Sequence, residues 1–480
     1  MLTHPPSRPN YHFTPPSNWM NDPNGLVYYQ GEYHLFYQYH PESPIWGPMH
    51  WGHAVGCDLV NWQHLPIALY PDENGMVFSG SVVIDWKNTA GLGEAAMVAV
   101  FTHHKEGRQN QNLAYSHDSG RTWTKYAGNP VLSAPDNLRD FRDPKVFWFA
   151  GQADGHWVMC LAAGDRIMFF TSPDLIHWTP SGQLGRGFDA TAGVWETPDL
   201  FELRVDGSRE TRWVLTIGVQ GGCPAGGSGT LYFIGQFDGC AFTPENPRET
   251  ILWADYGADY YAPQSWNNEP SRRRIMLGWM SNWQYANVTP FTTWRGMFSL
   301  PRELSLTRTA AGIRLVQQPI PELRKLRREH KHWQNETIVP GANLLAGLQG
   351  DSFEIAADFQ MDPDTESLGF RVRMGKAEQT TITYLPREQK VTLDRTHSGQ
   401  SDFHPGFARI HAADLAPIHG SLRLHIFVDH SSVEVFANHG QITLSDSIFP
   451  SAESLGIELF SKSGATQLNA LDFYHLEKKP

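Results

Sequence analysis

At 480 residues the chain is long for one core, so two domains are the expectation, and a formal net charge of −12 excludes the electrostatics of a nucleic-acid binder. No apolar run approaches the length of a membrane span, which points to a soluble globular protein acting on a neutral substrate, with no membrane partner, as a monomer or weak dimer. Aromatic residues make up 12% of the chain, with 17 Trp, and Trp offers flat amphipathic surface both to a core and to the apolar face of a sugar ring.

The first residues, MLTHPPSRPNYHF, lack the charged region, apolar run and cleavage site of a secretory signal. As written the chain reads as cytoplasmic, or as extracellular if a signal has been removed. Next comes NWMNDPNG (18–25), whose Asn, Asp, Pro and Gly make a reverse turn the plainest reading of the acid Asp22. Short alternating segments rich in Val, Ile, Phe, Tyr and Trp follow, ending in the turn Asp58-Leu-Val-Asn-Trp62. The same succession then repeats. Phe78-Ser79-Gly80-Ser81 leads to Asp118-Ser-Gly-Arg-Thr-Trp123, Phe141-Arg142-Asp143-Pro144 to Asp174-Leu-Ile-His-Trp178, and Trp195-Glu196-Thr197-Pro198-Asp199 to Asp238-Gly-Cys-Ala-Phe242. A fifth unit opens on Asp259-Tyr260-Tyr261-Ala262.

The turn acids are spaced by 60, 56 and 64 residues. The steps from Asp22 through Ser79, Asp143 and Glu196 to Asp259 are 57, 64, 53 and 63. A period of this length holds one four-stranded antiparallel sheet, so the expected fold is all-β: a five-bladed β-propeller. On that reading the five leading motifs occupy equivalent places, and Asp22, Ser79, Asp143, Glu196 and Asp259 all face one funnel. Beyond it, Pro319 to His330 is basic and reads as a short solvated linker helix. Alternating strands return after Asp351 without the polar motifs and read as a β-sandwich. The expected division is 1–318 propeller, 319–345 linker and 346–480 sandwich.

Converging carboxyl groups suit glycoside hydrolysis, which needs one protonated carboxyl for the leaving oxygen and one ionised carboxylate. Glu196, beside Trp195, is the candidate acid because an aromatic wall strips hydration from a carboxyl. Asp22, among amide donors, is the candidate anion, and Arg142 is expected to keep Asp143 ionised. His40, His50 and His53 cluster in sequence, but no H-E-x-x-H or Cys/His pattern accompanies them, so neither a metal nor a cofactor is expected. No G-x-S-x-G elbow is present. Cys57, Cys160, Cys223 and Cys240 are too few and too scattered to staple the chain, and free thiols are expected.

The motifs WMNDPNG (19–25), FSGS (78–81), FRDPKVF (141–147), WETPDLF (195–201), DYYAPQSW (259–266), GWMSNWQY (278–285) and WRGMFSLPREL (294–304) resemble, in order and spacing, those of glycoside hydrolase family 32, the β-fructosidases. FVDHSSVEVFANHG (427–440) resembles the family's sandwich domain. GWMSNWQYAN, WRG, SLPREL and QGGCPAGGSGTLYFIGQFDG (220–239) look most like bacterial levanases and exo-inulinases. The resemblance implies a retaining exo-β-fructosidase that releases fructose from levan, inulin and sucrose. Asp22 would be nucleophile, Glu196 acid/base and Asp143 transition-state stabiliser. Asn21, Gln38, Trp46, Phe78, Ser79, Arg142, Tyr261 and Trp283 would line the fructosyl pocket. Retention implies carboxyl groups about 5–5.5 Å apart. The alternatives on the same scaffold are fructosyl transfer and a sucrose-restricted invertase; from another class comes a non-catalytic fructan-binding propeller. The family usually carries Cys after the acid/base Glu, where this chain has Thr197, and a hydroxyl there is expected to alter the protonation window of Glu196.

Overall fold

The computed structural model describes residues 7–151, 155–185, 193–362 and 364–478; the first six residues of the N-terminal stretch discussed above lie outside them. The described residues are nearly all β, with three short 3-10 turns, and no helix is long and apolar enough to cross a membrane. The cysteines are free, Cys160 and Cys223 buried, Cys57 and Cys240 exposed.

Five sheets follow one another along the first two thirds of the chain. Their leading strands are Asn18–Tyr29, Met76–Asp85, Arg142–Phe149, Trp195–Arg204 and Tyr261–Ser265, and each pairs antiparallel with the strand after it. In the first sheet the short strand Trp294–Arg295 adds in parallel beside Asn18–Tyr29. The leading strands touch one another in cyclic order, the fifth returning to the first. Buried polar groups tie neighbours together. The Ser81 hydroxyl donates to the Pro144 carbonyl, and the Lys145 ammonium reaches both Asp199, at 3.1 Å, and the Ser265 carbonyl.

The acid-to-aromatic repeats are turns between the third and fourth strands of the first four sheets. Each acid accepts backbone N–H bonds from residues two to four positions on: Asn61 to Asp58, Thr122 to Asp118, His177 to Asp174 and Ala241 to Asp238. The residue after each acid, Leu59, Ser119, Leu175 or Gly239, has positive φ. Asp tolerates this arrangement because its side chain replaces the backbone acceptor the turn lacks.

A second repeat is visible only in the register. Every leading strand carries a bulge near its start in which two residues oppose one of the partner strand. The bulged pairs are Asn21-Asp22, Phe78-Ser79, Asp143-Pro144, Thr197-Pro198 and Ala262-Pro263. The first residue of the last three has φ of 64°, 47° and 51°. Proline is admitted because a bulge leaves one N–H out of the ladder. Just past the first bulge, Gly25 takes φ of +56°, and a Cβ there would lie 2.7 Å from the Phe36 ring.

The last third forms two sheets, of six and five strands, around an aliphatic core that includes Phe353, Ile355, Leu424, Val435 and Phe473. The stretch read as a linker helix is a 3-10 turn, Pro321–Leu326, followed by the strand Arg327–Ile338, which pairs with Thr466–Leu476 at the edge of the six-stranded sheet. A partner strand with free backbone groups outweighs weak helical propensity. Buried ion pairs join the two parts: Arg302 to Glu434 at 2.7 Å and Arg395 to Asp259 at 2.6 Å. Asp259 therefore does not face a funnel; it is fully buried and also accepts a bond from the Tyr285 hydroxyl.

Candidate active site

A cavity of about 350 Å³ opens where the bulges converge. Asn21, Asp22, Gln38, Trp46, Phe78, Ser79, Arg142, Asp143, Glu196 and Trp283 line it, from all five sheets' segments of chain. Ten of the eleven residues singled out from sequence are thus brought together. Tyr261 is not on the wall: it is buried behind Glu196, and its hydroxyl donates a short hydrogen bond to Glu196 Oε2.

Asp22 is held by neutral donors. The Ser79 hydroxyl donates to Oδ2 at 2.7 Å and the Asn21 amide to Oδ1 at 3.0 Å, while the Trp19 indole N–H fixes Asn21 by donating to its Oδ1 at 2.8 Å. Burial, the largest influence, lifts the Asp22 carboxyl to about 6; the charge of Glu196 lifts it too, while the Ser79 and Asn21 bonds and Arg142 act against the rise. The expectation of an anion is thereby qualified: Asp22 is ionised above about pH 6.

Glu196 sits in a different environment from the apolar wall expected of Trp195. The Trp195 ring is buried in a hydrophobic cluster, and the Glu196 carboxyl is reached instead by the Arg142 guanidinium, whose Nη2 and Nε donate to Oε1 at 2.8 and 3.2 Å. Arg142, whose closest approach to Asp143 is 3.9 Å, accordingly does not hold the Asp143 carboxyl down as adjacency in sequence suggested. Strand pleat and bulge send neighbouring side chains in different directions. Asp143 accepts the Thr197 N–H at 2.9 Å, yet burial first, then the charges of Glu196 and Asp22, push its carboxyl up against the pull of Arg142. The Thr197 hydroxyl has no hydrogen-bond partner among the described residues and does not bond Glu196.

Of the other four wall residues, His104, Gln109 and Asp140 lie outside the sequence motifs, and Gln220 lies in one without being singled out. His104 stacks on Phe78 with ring centroids 4.7 Å apart. Gln109 accepts from the Phe141 N–H and from Arg142. Asp140 accepts from Arg142 and lies two residues before it, so the charged run Arg139-Asp-Phe-Arg-Asp143 was the available clue. Gln220 opens a glycine-rich stretch. Aromatic faces complete the wall: Trp46, 39% exposed, meets Phe78 edge-on, and Trp283 packs against Trp19 and Trp279. Larger cavities of about 470 and 520 Å³ lie elsewhere. Of the carboxyl groups there, Glu354 and Asp472 are displaced downward despite partial burial, because Arg327, His425, His330 and His332 bond them.

Two acids with a raised carboxyl, a third acid gripped by an arginine, and aromatic walls match the needs of glycosyl transfer to water. A family model described as "Glycosyl hydrolases family 32 N-terminal domain" matches residues 12–319, and one described as "Glycosyl hydrolases family 32 C terminal" matches residues 322–475. The chain belongs to glycoside hydrolase family 32. Among its relatives, the levanase of Bacillus subtilis (strain 168) is 51% identical over 98% of this chain, which spans 70% of that protein. The levanase of Bacillus sp. (strain L7) is 40% identical over 98% of this chain, which spans about half (52%) of it. The crystal structure of exo-inulinase from Aspergillus awamori superposes with a TM-score of 0.91 at 36% identity, covering 98% of both chains. The family membership makes this protein a glycoside hydrolase.

Proposed function

We propose that this glycoside hydrolase is a retaining exo-β-fructosidase, releasing fructose from the non-reducing ends of levan and inulin and from sucrose. The observation that carries the reading is the division of labour around the cavity. Among the described residues no cation lies within 4.0 Å of Asp22, whereas Arg142 is committed to Glu196 and Asp140. A nucleophile must be anionic yet free to attack. The likeness to levanases and an exo-inulinase supports the choice of fructan.

Asp22 attacks the anomeric C2 of a terminal β-fructofuranosyl unit as Glu196 protonates the departing oxygen. Water, deprotonated by Glu196, then breaks the fructosyl ester and frees Asp22. Asp143 binds fructosyl hydroxyls, and Asn21, Gln38, Trp46, Phe78, Ser79, Arg142 and Trp283 shape the pocket, with Tyr261 holding Glu196 from behind. In this reading the five cyclic sheets are the blades of a propeller spanning 1–318, and the two sheets within 346–480 form a sandwich. The strand within 319–345 belongs with the sandwich.

The test is a product time course on levan, inulin and sucrose for wild type, Asp22→Asn and Glu196→Gln. Fructose as the sole early product from levan and inulin, and a loss of at least ~10⁴-fold in turnover for Asp22→Asn, are expected. Difructose anhydrides or longer oligosaccharides would assign fructosyl transfer instead. Full turnover in both variants would remove the mechanism.

A further inference from the structure

Outside the cavity, one cluster of side chains has the composition of a metal site. His330 and His332 stand two residues apart on the edge strand Arg327–Ile338, so both project from the same face. On the adjacent strand Asp472 is directly opposite His332 in the register. His330 Nε2 and His332 Nδ1 each lie 2.8 Å from the same oxygen, Asp472 Oδ1. One ligand atom from each of the three residues falls within a group no wider than 4.8 Å.

Those distances have a physical reading. Two ligands each about 2.1 Å from a tetrahedral metal are about 3.4 Å apart, so the 2.8 Å separations must widen by about 0.6 Å to admit an ion. Rotation of exposed imidazoles supplies that widening. The side chains are 45%, 44% and 33% exposed, which leaves room for water in the remaining coordination positions. The His330 ring is already fixed in one plane by stacking on Tyr474, centroids 4.3 Å apart, and Arg327 lies over the same Tyr474 ring. Two imidazoles and one carboxylate oxygen select a borderline transition-metal ion over Ca²⁺ or Mg²⁺, which take all-oxygen sets.

We propose that His330, His332 and Asp472 bind one divalent transition-metal ion, of which Zn²⁺ is the representative, and that the ion clips the edge strand Arg327–Ile338 to the sheet. This strand has a single neighbour in its sheet and is exposed over most of its length. A cross-strand clip adds a link the backbone ladder alone must otherwise provide, and it covers an edge open to unwanted pairing. The proposal is independent of the hydrolytic reading.

The experiment uses the full chain stripped with a chelator and titrated with ZnCl₂ against a chromophoric competitor, alongside His332→Gln, Asp472→Asn and His330→Gln. Wild type is expected to bind one more Zn²⁺ per chain than any variant, or to bind that ion at least ~10-fold more tightly. Zinc should slow amide hydrogen exchange across residues 327–338 in wild type and not in His332→Gln. With Cu²⁺ as probe, the electron paramagnetic resonance spectrum should show coupling to two imidazole nitrogens, falling to one in either histidine variant. Equal stoichiometry and affinity in wild type and all three variants overturns the proposal, as does an absence of zinc binding by wild type; the cluster is then a hydrogen-bonded trio only. Hydrolysis of levan is expected to be unchanged in the variants, which also reports that they fold.

Discussion

Asp22 illustrates how much a single carboxyl depends on donors that carry no charge. Its Ser79 and Asn21 bonds favour the ionised form while burial favours the neutral one, and burial wins, to about 6. Since attack requires the anion, kcat/KM should fall as pH drops through about 6. Ser79→Ala removes one bond to the charged form, worth on the order of 1.5 kcal/mol, so the acid limb should move up by about one pH unit in a pH–rate profile on sucrose or levan. An unmoved limb would assign it to another group. Thr197 poses a different residue-scale problem. It is β-branched at φ of 47° with a buried hydroxyl that has no hydrogen-bond partner among the described residues. Both features cost stability. Thr197→Cys keeps the volume while weakening both penalties, and should raise the unfolding free energy read from a denaturant titration by about 1 kcal/mol without moving the acid limb, because the hydroxyl bonds neither Asp22 nor Glu196.

At the scale of elements, the bulge is the unit that repeats. The motif spacing in the sequence aligns Asp22 with Ser79, Asp143, Glu196 and Asp259. The register aligns Asn21, Phe78, Asp143, Thr197 and Ala262 as the first bulged residues instead, with Arg142, Glu196 and Tyr261 just before the bulge. A shift of one residue turns a strand side chain to the other face, so a period read only to within several residues finds the bulge but not its occupants. Asp259, two residues before Tyr261, falls outside it and pairs with Arg395. Asp259→Ala should therefore destabilise by about 3 kcal/mol, leaving the Arg395 guanidinium with Asp446 at 3.7 Å as its remaining carboxylate within 4.0 Å among the described residues. Urea unfolding checks the loss; turnover per folded molecule should stay at the wild-type value, and a collapse of turnover would return Asp259 to the site.

Across the whole molecule, charges buried between the first five sheets and the last two decide the pH range of stability. His12, near the N-terminus, bridges Asp429 at 2.8 Å and Glu434 at 3.0 Å. Burial pulls the imidazolium down, but the bonds and charges of the two carboxylates outweigh it and raise His12 to about 9. A folded-state value raised above the unfolded one contributes stability fully present below about pH 6.5 and lost as pH rises through about 9. Asp429, lowered to about 2, contributes stability present above about 3.8 and lost as pH falls toward 2. The difference in thermal stability between wild type and His12→Gln should therefore be flat below about pH 6.5 and shrink toward pH 9, by an amount on the order of 3 kcal/mol at most. A difference that stays constant up to pH 9 would remove His12 from the pH dependence.

The β class and the five in-phase units were legible in the sequence because alternation, turn chemistry and motif spacing are local properties of the chain, and ten of the fourteen wall residues were legible through the resemblance of their motifs to a known family. Four Asp turns repeating at about sixty residues need no tertiary contact to be recognised. What the tertiary structure decided is which charge meets which. Arg142 hydrogen-bonds Glu196 and Asp140 and not its neighbour Asp143, Tyr261 stands behind the wall, and a basic segment expected to be helix is a strand whose histidines meet Asp472. Each of these pairings joins residues whose distance along the chain says nothing of their distance in space, or turns on a bulge that reorients adjacent side chains. Burial then set the carboxyl values of Asp22 and Asp143, since desolvation belongs to the packed molecule and to no stretch of its sequence.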